Sequence, residues 1–285
     1  MEKTKKSAVE KAIFIFIFVF FALYTLSIII PFVWLFFNTL KGAEEYYLGK
    51  FFPQGFEAIN YAMAFTKLEV YGTNAIGMIF NSLWYAVGGA VLGVLCSTFF
   101  AYAISKYRFW GRNLLNAIAI AVMVIPIVGA LPSQYKVYET LGMLNSPLIL
   151  ITFTSGFGMN YLVMLAAFDN LSWSYAEASF IDGAGHFRVF FNIMIPQVLP
   201  MITALFLVAF IGIWNDYMSP LIFMRKLPTL ATGLYVYEKI SNNNNQMSMP
   251  IYYAGVMLCL IPVFTLFIIF QNTIMDISIS GGVKE

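Results

Sequence analysis

The stretch Asp169–Pro196 reads DNLSWSYAEASFIDGAGHFRVFFNIMIP, and it is the informative break in an otherwise apolar chain. Ser174 and Glu177 stand as Ser-x-x-Glu, the capping-box spacing that opens a helix. Gly183 then fits a helix stop. The spacing predicts a helix of about two turns over Tyr175–Asp182, followed by a second amphipathic stretch over His186–Ile195. Ala178 and Ser179 are small enough to let another backbone approach, and Glu177 sits near the positive end of the helix. The capping signal fits a docking element. Taken alone, it fits better an ordinary loop helix that touches nothing.

What flanks this stretch is membrane-like. Of 285 residues, 60% are apolar and 11% charged, against about a quarter charged in a soluble domain. Six windows are long enough to cross a bilayer. They are Ala12–Asn38, Ile76–Ser105, Leu114–Leu131, Leu148–Phe168, the run from Pro196 to near Met224, and Ile251–Met275. The third is shortest, with Pro126 and Pro132 breaking its end. Asp216 is the ionisable residue inside these windows. The reading is an all-α membrane protein with six transmembrane helices: an arm over 1–11, a membrane-spanning body over 12–276 that contains the loop 169–196, and a tail over 277–285. The first window follows a basic start but is too long for a cleaved signal, so it reads as a retained anchor.

Lys3, Lys5, Lys6 and Lys11, with Lys106, Arg108 and Arg112, crowd basic charge beside the first two spans. That bias places both termini, and the Asp169–Pro196 loop, on the cytoplasmic side. The formal net charge of +2 offers no field for nucleic acid. Cys96 and Cys259 fall inside spans, so no disulfide framework is expected. His186, with Asp182 nearby, reads as a loop histidine rather than a metal ligand. No catalytic motif occurs within a span, so no catalytic or metal residues are expected.

The complete loop string carries a resemblance. Glu177-Ala178-Ser179, three residues, Gly183, nine residues, then Ile193-x-Ile195-Pro196 closely resembles the EAA loop of ABC importer permeases. Ser179 replaces the third Ala of that pattern, and Ile195 a Leu. Ile181-Asp182-Gly183-Ala184-Gly185, Pro200 and Trp214-Asn215-Asp216 resemble the carbohydrate-importing, maltose-type branch (MalG-like). So do Pro31-x-x-Trp34 with Lys41, Asn81-Ser82-Leu83, Ala101-Tyr102-Ala103-x-Ser105-Lys106 with Gly111-Arg112, Leu141-Gly142-x-Leu144-Asn145, and Gly281-Gly282-Val283-Lys284.

The resemblance implies a type I importer permease (MetI-like) fold in the bacterial cytoplasmic (inner) membrane. It implies a second homologous permease, two ATPase subunits and an extracytoplasmic sugar-binding protein as partners. Glu177, Ala178, Ser179, Asp182, Gly183 and Gly185 would form the coupling element. ATP and Mg would be used by the ATPase, since the one Gly-Lys pair, Gly49-Lys50, is followed by Phe51 and makes no P-loop. No cofactor is expected on this chain itself. The expected cargo is a neutral oligosaccharide, because no window contains Lys or Arg.

Two roles stay open for Trp214, Asn215 and Asp216: groups on the translocation path, or a helix cap near the outer interface. The five tryptophans lie near span ends and read mostly as interfacial anchors. The competing function is a secondary solute transporter, which ordinarily needs ionisable groups near the membrane middle.

Overall fold

The computed structural model describes residues 8–125, 129–244 and 248–280. The expected sequence features at residues 1–7, Pro126, Asn245 and Gly281–Lys284 lie outside the described residues. The described chain divides into two compact units. One comprises the chain up to Leu68 with Tyr237–Leu258. The other comprises Glu69–Val236 with the chain from Cys259 onward.

In chain order the helices are α1 (Ala8–Thr39), α2 (Ala43–Tyr47), α3 (Ile59–Lys67), α4 (Ala75–Lys106), α5 (Arg112–Val124), α6 (Leu131–Thr140), α7 (Met159–Asp169), α8 (Ser174–Ile181), α9 (His186–Val189), α10 (Ile195–Trp214), α11 (Met218–Phe223), α12 (Leu230–Asn244) and α13 (Met249–Ser280). A 3-10 segment covers Pro147–Phe153. Two-residue strands β1 (Glu69–Val70) and β2 (Thr73–Asn74) pair antiparallel. The Tyr71-Gly72 turn between them has both residues at positive φ, as a tight primed turn requires. Asn74 then caps α4, its side-chain oxygen accepting from the Gly77 N–H at 2.9 Å.

Among the described residues, four helices are long and apolar enough to span a membrane: Val9–Thr39, Ala75–Lys106, His186–Trp214 and Met249–Asn272. They match the first, second, fifth and sixth windows. The first helix begins at Ala8, inside the expected arm. The third and fourth windows hold shorter apolar helices, Arg112–Val124 and Met159–Asp169. The fourth is interrupted because Gly156 and Gly158 adopt positive φ, which ends helical continuity after the 3-10 segment.

The fifth span differs from its window at both ends. It starts at His186, since α9 continues through a π-helical segment, Phe190–Met194, into α10. The Ile195 N–H reaches back to the Phe190 carbonyl, one residue further than in an α-helix. This widened turn lies immediately before Pro196, which lacks an N–H and would crowd an ordinary α-helical turn. The helix then ends at Trp214, so Asp216 lies beyond the span rather than inside it.

In the unit holding α4, that helix is the central rod, packing on α7, α10 and the 3-10 segment. Its buried face is a stripe of small residues, including Ala86, Gly89, Ala90, Ser97 and Ala101. Apolar helices in lipid gain little from burial as such, so close van der Waals approach holds them together. Gly89 shows how close that approach is. A Cβ there would lie 2.9 Å from Ile213 Cδ1 and from the Phe153 ring. Towards the Lys106 end, Val94, Ala101, Ile104, Tyr161, Met164, Phe168, Ala176, Phe190 and Met194 share one core.

In the other unit, buried amides tie down the end of α1. Asn60 Nδ2 donates to the carbonyls of Thr39 (2.8 Å) and Lys41 (2.9 Å). Lys41 is buried, and its Nζ donates to Asn38 Oδ1 (2.8 Å) and to the Lys50 carbonyl. Burial lowers the Lys41 pKa, with Glu45 opposing that shift.

Gly89→Leu is expected to destabilise the detergent-solubilised protein by about 1–3 kcal/mol through overpacking. Gly212→Ala, where a Cβ meets nothing within 4 Å, should leave the melting temperature unchanged or slightly raised. Thermal unfolding of the two variants side by side checks both.

Candidate functional site: a seated loop helix and a pinned far end

The predicted helix Tyr175–Asp182 forms one residue earlier, as α8, Ser174–Ile181. The expected capping box does not form. Ser174 is the first helical residue, Trp173 is the N-cap without a side-chain bond, and the Ser174 N–H donates to Ser172 Oγ at 3.3 Å. A local serine turn replaces the reciprocal Ser–Glu pair, and Glu177 is thereby left exposed. The stop is as expected. Gly183 has φ +82°, its N–H donates to the Phe180 carbonyl (3.0 Å), and the Ala184 N–H donates to the Ser179 carbonyl (3.0 Å). These two bonds form a Schellman motif.

α8 has a seated face and a free face. Ala176 is fully buried in the core shared with α4 and α7. Phe180, one turn on, packs against Trp173 and, edge-on, against His186 at 4.9 Å between centroids. Tyr107, just past the end of α4, completes this aromatic brace. Its ring lies 5.9 Å from Trp173, and its hydroxyl is 3.0 Å from His186 Nδ1. Polar bonds add to the seat: Lys106 Nζ donates to the Leu171 carbonyl at 2.7 Å, and Ser105 Oγ donates to Asp169 Oδ1. On the free face Glu177, Ala178, Asp182, Gly183 and Gly185 are exposed, and Ser179 is half-buried. Ser179 Oγ is turned back onto the Tyr175 carbonyl (2.9 Å).

Two residues outside the expected coupling set stand out here, Ile181, which entered only as part of the motif string, and Phe187, which did not enter it. Ile181 is 86% exposed and Phe187 80%. They flank Gly183 and give the free face an apolar character. Their positions beside the helix stop were the available signal.

The predicted path residues gather elsewhere, at the far end of the same unit. Trp214 is 1% exposed and stacked on Phe210, with its indole N–H donating to the Cys259 carbonyl at 3.0 Å. It is a core residue, unlike an interfacial anchor. Asn215 Nδ2 donates to the Ile211 carbonyl (2.8 Å). Asp216 Oδ1 accepts from the N–H groups of Met218 and Ser219, both at 3.0 Å, and so caps α11.

Other motif residues meet there too. Asn81 Nδ2 donates to the Pro228 carbonyl (3.1 Å), and Ser82 Oγ accepts from the Leu230 N–H (2.7 Å). Asn145, at φ +53°, accepts from the Lys226 N–H at 2.7 Å and donates its own N–H to the Phe223 carbonyl at 2.9 Å. Sequence positions far apart thus pin one segment, 223–230.

Comparison with known proteins places this geometry. Residues 89–278 match the family described as "Binding-protein-dependent transport system inner membrane component". The diacetylchitobiose uptake system permease protein NgcG of Streptomyces coelicolor is 26% identical over 267 residues, covering 91% of this chain and 85% of that one. The maltodextrin transport system permease protein MdxG of Bacillus subtilis is 31% identical over 208 residues, covering 72% and 74%. A crystal structure of a bacterial ABC transporter involved in alginate import superposes with a TM-score of 0.78 at 21% identity, covering 95% of this chain and 99% of that one. The chain belongs to the binding-protein-dependent transport system inner membrane component family: it is a multi-pass transport permease.

Ala176→Leu should cost about 1–3 kcal/mol by overpacking a closed site. Ile181→Ser, on a side chain open to solvent, should leave stability within about 0.5 kcal/mol of the parent. Asp216→Ala should cost about 1 kcal/mol through loss of the cap, whereas Asp216→Asn keeps an acceptor and most of that stability. Thermal melts of the purified permease read all four.

Proposed function

We propose that this chain is one permease subunit of an ATP-driven ABC importer that moves a carbohydrate into the cytoplasm by alternating access. The observation that carries the proposal is α8: a short rigid helix, seated through Ala176 and Phe180, with Glu177, Ala178 and Ile181 turned away from the body. A helix held this way can sit in a partner's groove and pass a rigid-body movement to the spans. Glu177, Ala178, Ser179, Asp182, Gly183 and Gly185 form the coupling element for two ATPase subunits, which use ATP and Mg. A second homologous permease and an extracytoplasmic sugar-binding protein complete the assembly.

The chain crosses the membrane six times with both termini cytoplasmic. Four crossings are the long helices. The fourth window crosses as a broken span. Its seven-residue 3-10 segment and 11-residue α7, placed end to end, cover about 30 Å. The Leu114–Leu131 window supplies the remaining crossing. The cargo is a neutral oligosaccharide: the similar permeases NgcG and MdxG belong to diacetylchitobiose and maltodextrin systems, and basic residues of the long helices sit only towards their ends. Trp214, Asn215 and Asp216 hold the outer end of the path in shape.

In the reconstituted complex, Glu177→Arg and Gly183→Pro are expected to reach the membrane at normal levels. Substrate-stimulated ATPase activity should then fall by about tenfold or more, because a reversed charge in a docked interface costs several kcal/mol. Proline cannot adopt the φ of +82° at Gly183, so that variant removes the stop as well. Normal stimulation in both variants would overturn the coupling role. A thermal-shift screen of the cognate binding protein should find stabilisation by neutral oligosaccharides. Stabilisation only by acidic or phosphorylated sugars would overturn the cargo.

A further inference from the structure

The five residues between α4 and α5 carry a second feature, separate from α8. Residues 108–114 enclose a concavity of about 520 Å³, open on one side. Arg108 and Arg112 both line it, with Trp110 between them in the sequence. Lys106, the third basic residue of the cluster, is spent on the Leu171 carbonyl. Asp169, the acid beside Lys106, is taken by Ser105. Among the described residues neither Arg108 nor Arg112 has a carboxylate partner.

The rim is apolar and open. Trp110 is 99% exposed, and Phe109 and Leu114 are exposed as well. This loop follows directly on the end of a span, Ala75–Lys106. Aromatic rings at that depth sit among lipid headgroups. A pair of unpaired guanidiniums beside them matches a phosphate, which arginine binds through paired N–H groups.

We propose that the 108–114 concavity is a binding site for an anionic phospholipid, with Arg108 and Arg112 on the phosphate and Trp110, Phe109 and Leu114 against the glycerol and upper acyl chains. A free phosphate would satisfy the arginines but leaves the exposed apolar rim without a purpose. A lipid satisfies both.

The test uses the assembled importer in lipid nanodiscs. The Trp110 component of the fluorescence is taken as the difference between the parent and Trp110→Phe. Brominated phosphatidylglycerol is expected to quench that component at least about twofold more than brominated phosphatidylcholine at equal mole fraction, as headgroup charge would dictate. The double variant Arg108→Gln/Arg112→Gln should lose the preference. Should it fail to assemble, the single variants Arg108→Gln and Arg112→Gln should each weaken it.

Equal quenching by the two lipids in the parent protein would overturn the site, and that comparison needs no arginine variant. So would an unchanged preference in the arginine variants. Abolition of the preference by millimolar inorganic phosphate would assign the arginines to a soluble anion instead. Absence of quenching by either lipid would mean that protein covers the loop.

Discussion

Everything in the larger unit leans on how closely its helices can approach α4. In hydrocarbon, separating two apolar helices exposes them to a solvent as apolar as themselves, so the usual burial drive is weak. What remains is contact, and contact falls away steeply with distance. The Ala/Gly/Ser stripe on α4 brings the Phe153 and Ile213 side chains to within contact of its backbone at Gly89. α7, α10 and the 3-10 segment are arranged by that stripe, and the two functional ends are arranged by them in turn.

Those ends are joined by one element. α4 has 32 residues, about 48 Å at 1.5 Å per residue. Near its start, Asn81 and Ser82 hold the backbone of residues 228 and 230. Near its finish, Ser105 and Lys106 hold the entrance to α8. A shift of the rod is therefore felt at both places together. The side chains that bond outside the helix, Asn81, Ser82, Ser105 and Lys106, lie towards its two ends, while the stretch from Val87 to Cys96 is uncharged and apolar.

Much of this was legible in the amino-acid sequence, for a simple reason. A long uncharged run has few other fates, so α1, α4 and α13 fell within a few residues of their windows. The loop helix was legible through Gly183, whose left-handed conformation is a local property of glycine. What escaped depends on tertiary or neighbouring geometry. Ser174 and Glu177 have capping-box spacing, yet Ser172 supplies the turn instead. Asp216 looked like a charge within the membrane because no glycine or proline marks the end of α10. Its carboxylate is what starts the next helix. Ala176 and Phe180 drew no notice because nothing in their identity says which face of α8 is covered.

The π-helical turn at Phe190–Met194 has a consequence for helical phase. One surplus residue in a helix offsets everything before it by about 100° and 1.5 Å relative to a regular α-helix. Val189, Phe190 at the start of the turn, Met194 at its end and Val198 beyond it all lie in the same core across that offset. Trimming one residue there would restore an unbroken α-helical register. It would also rotate His186 out of the ring cluster, so the extra residue works as a phase-setting insert between the loop and the span.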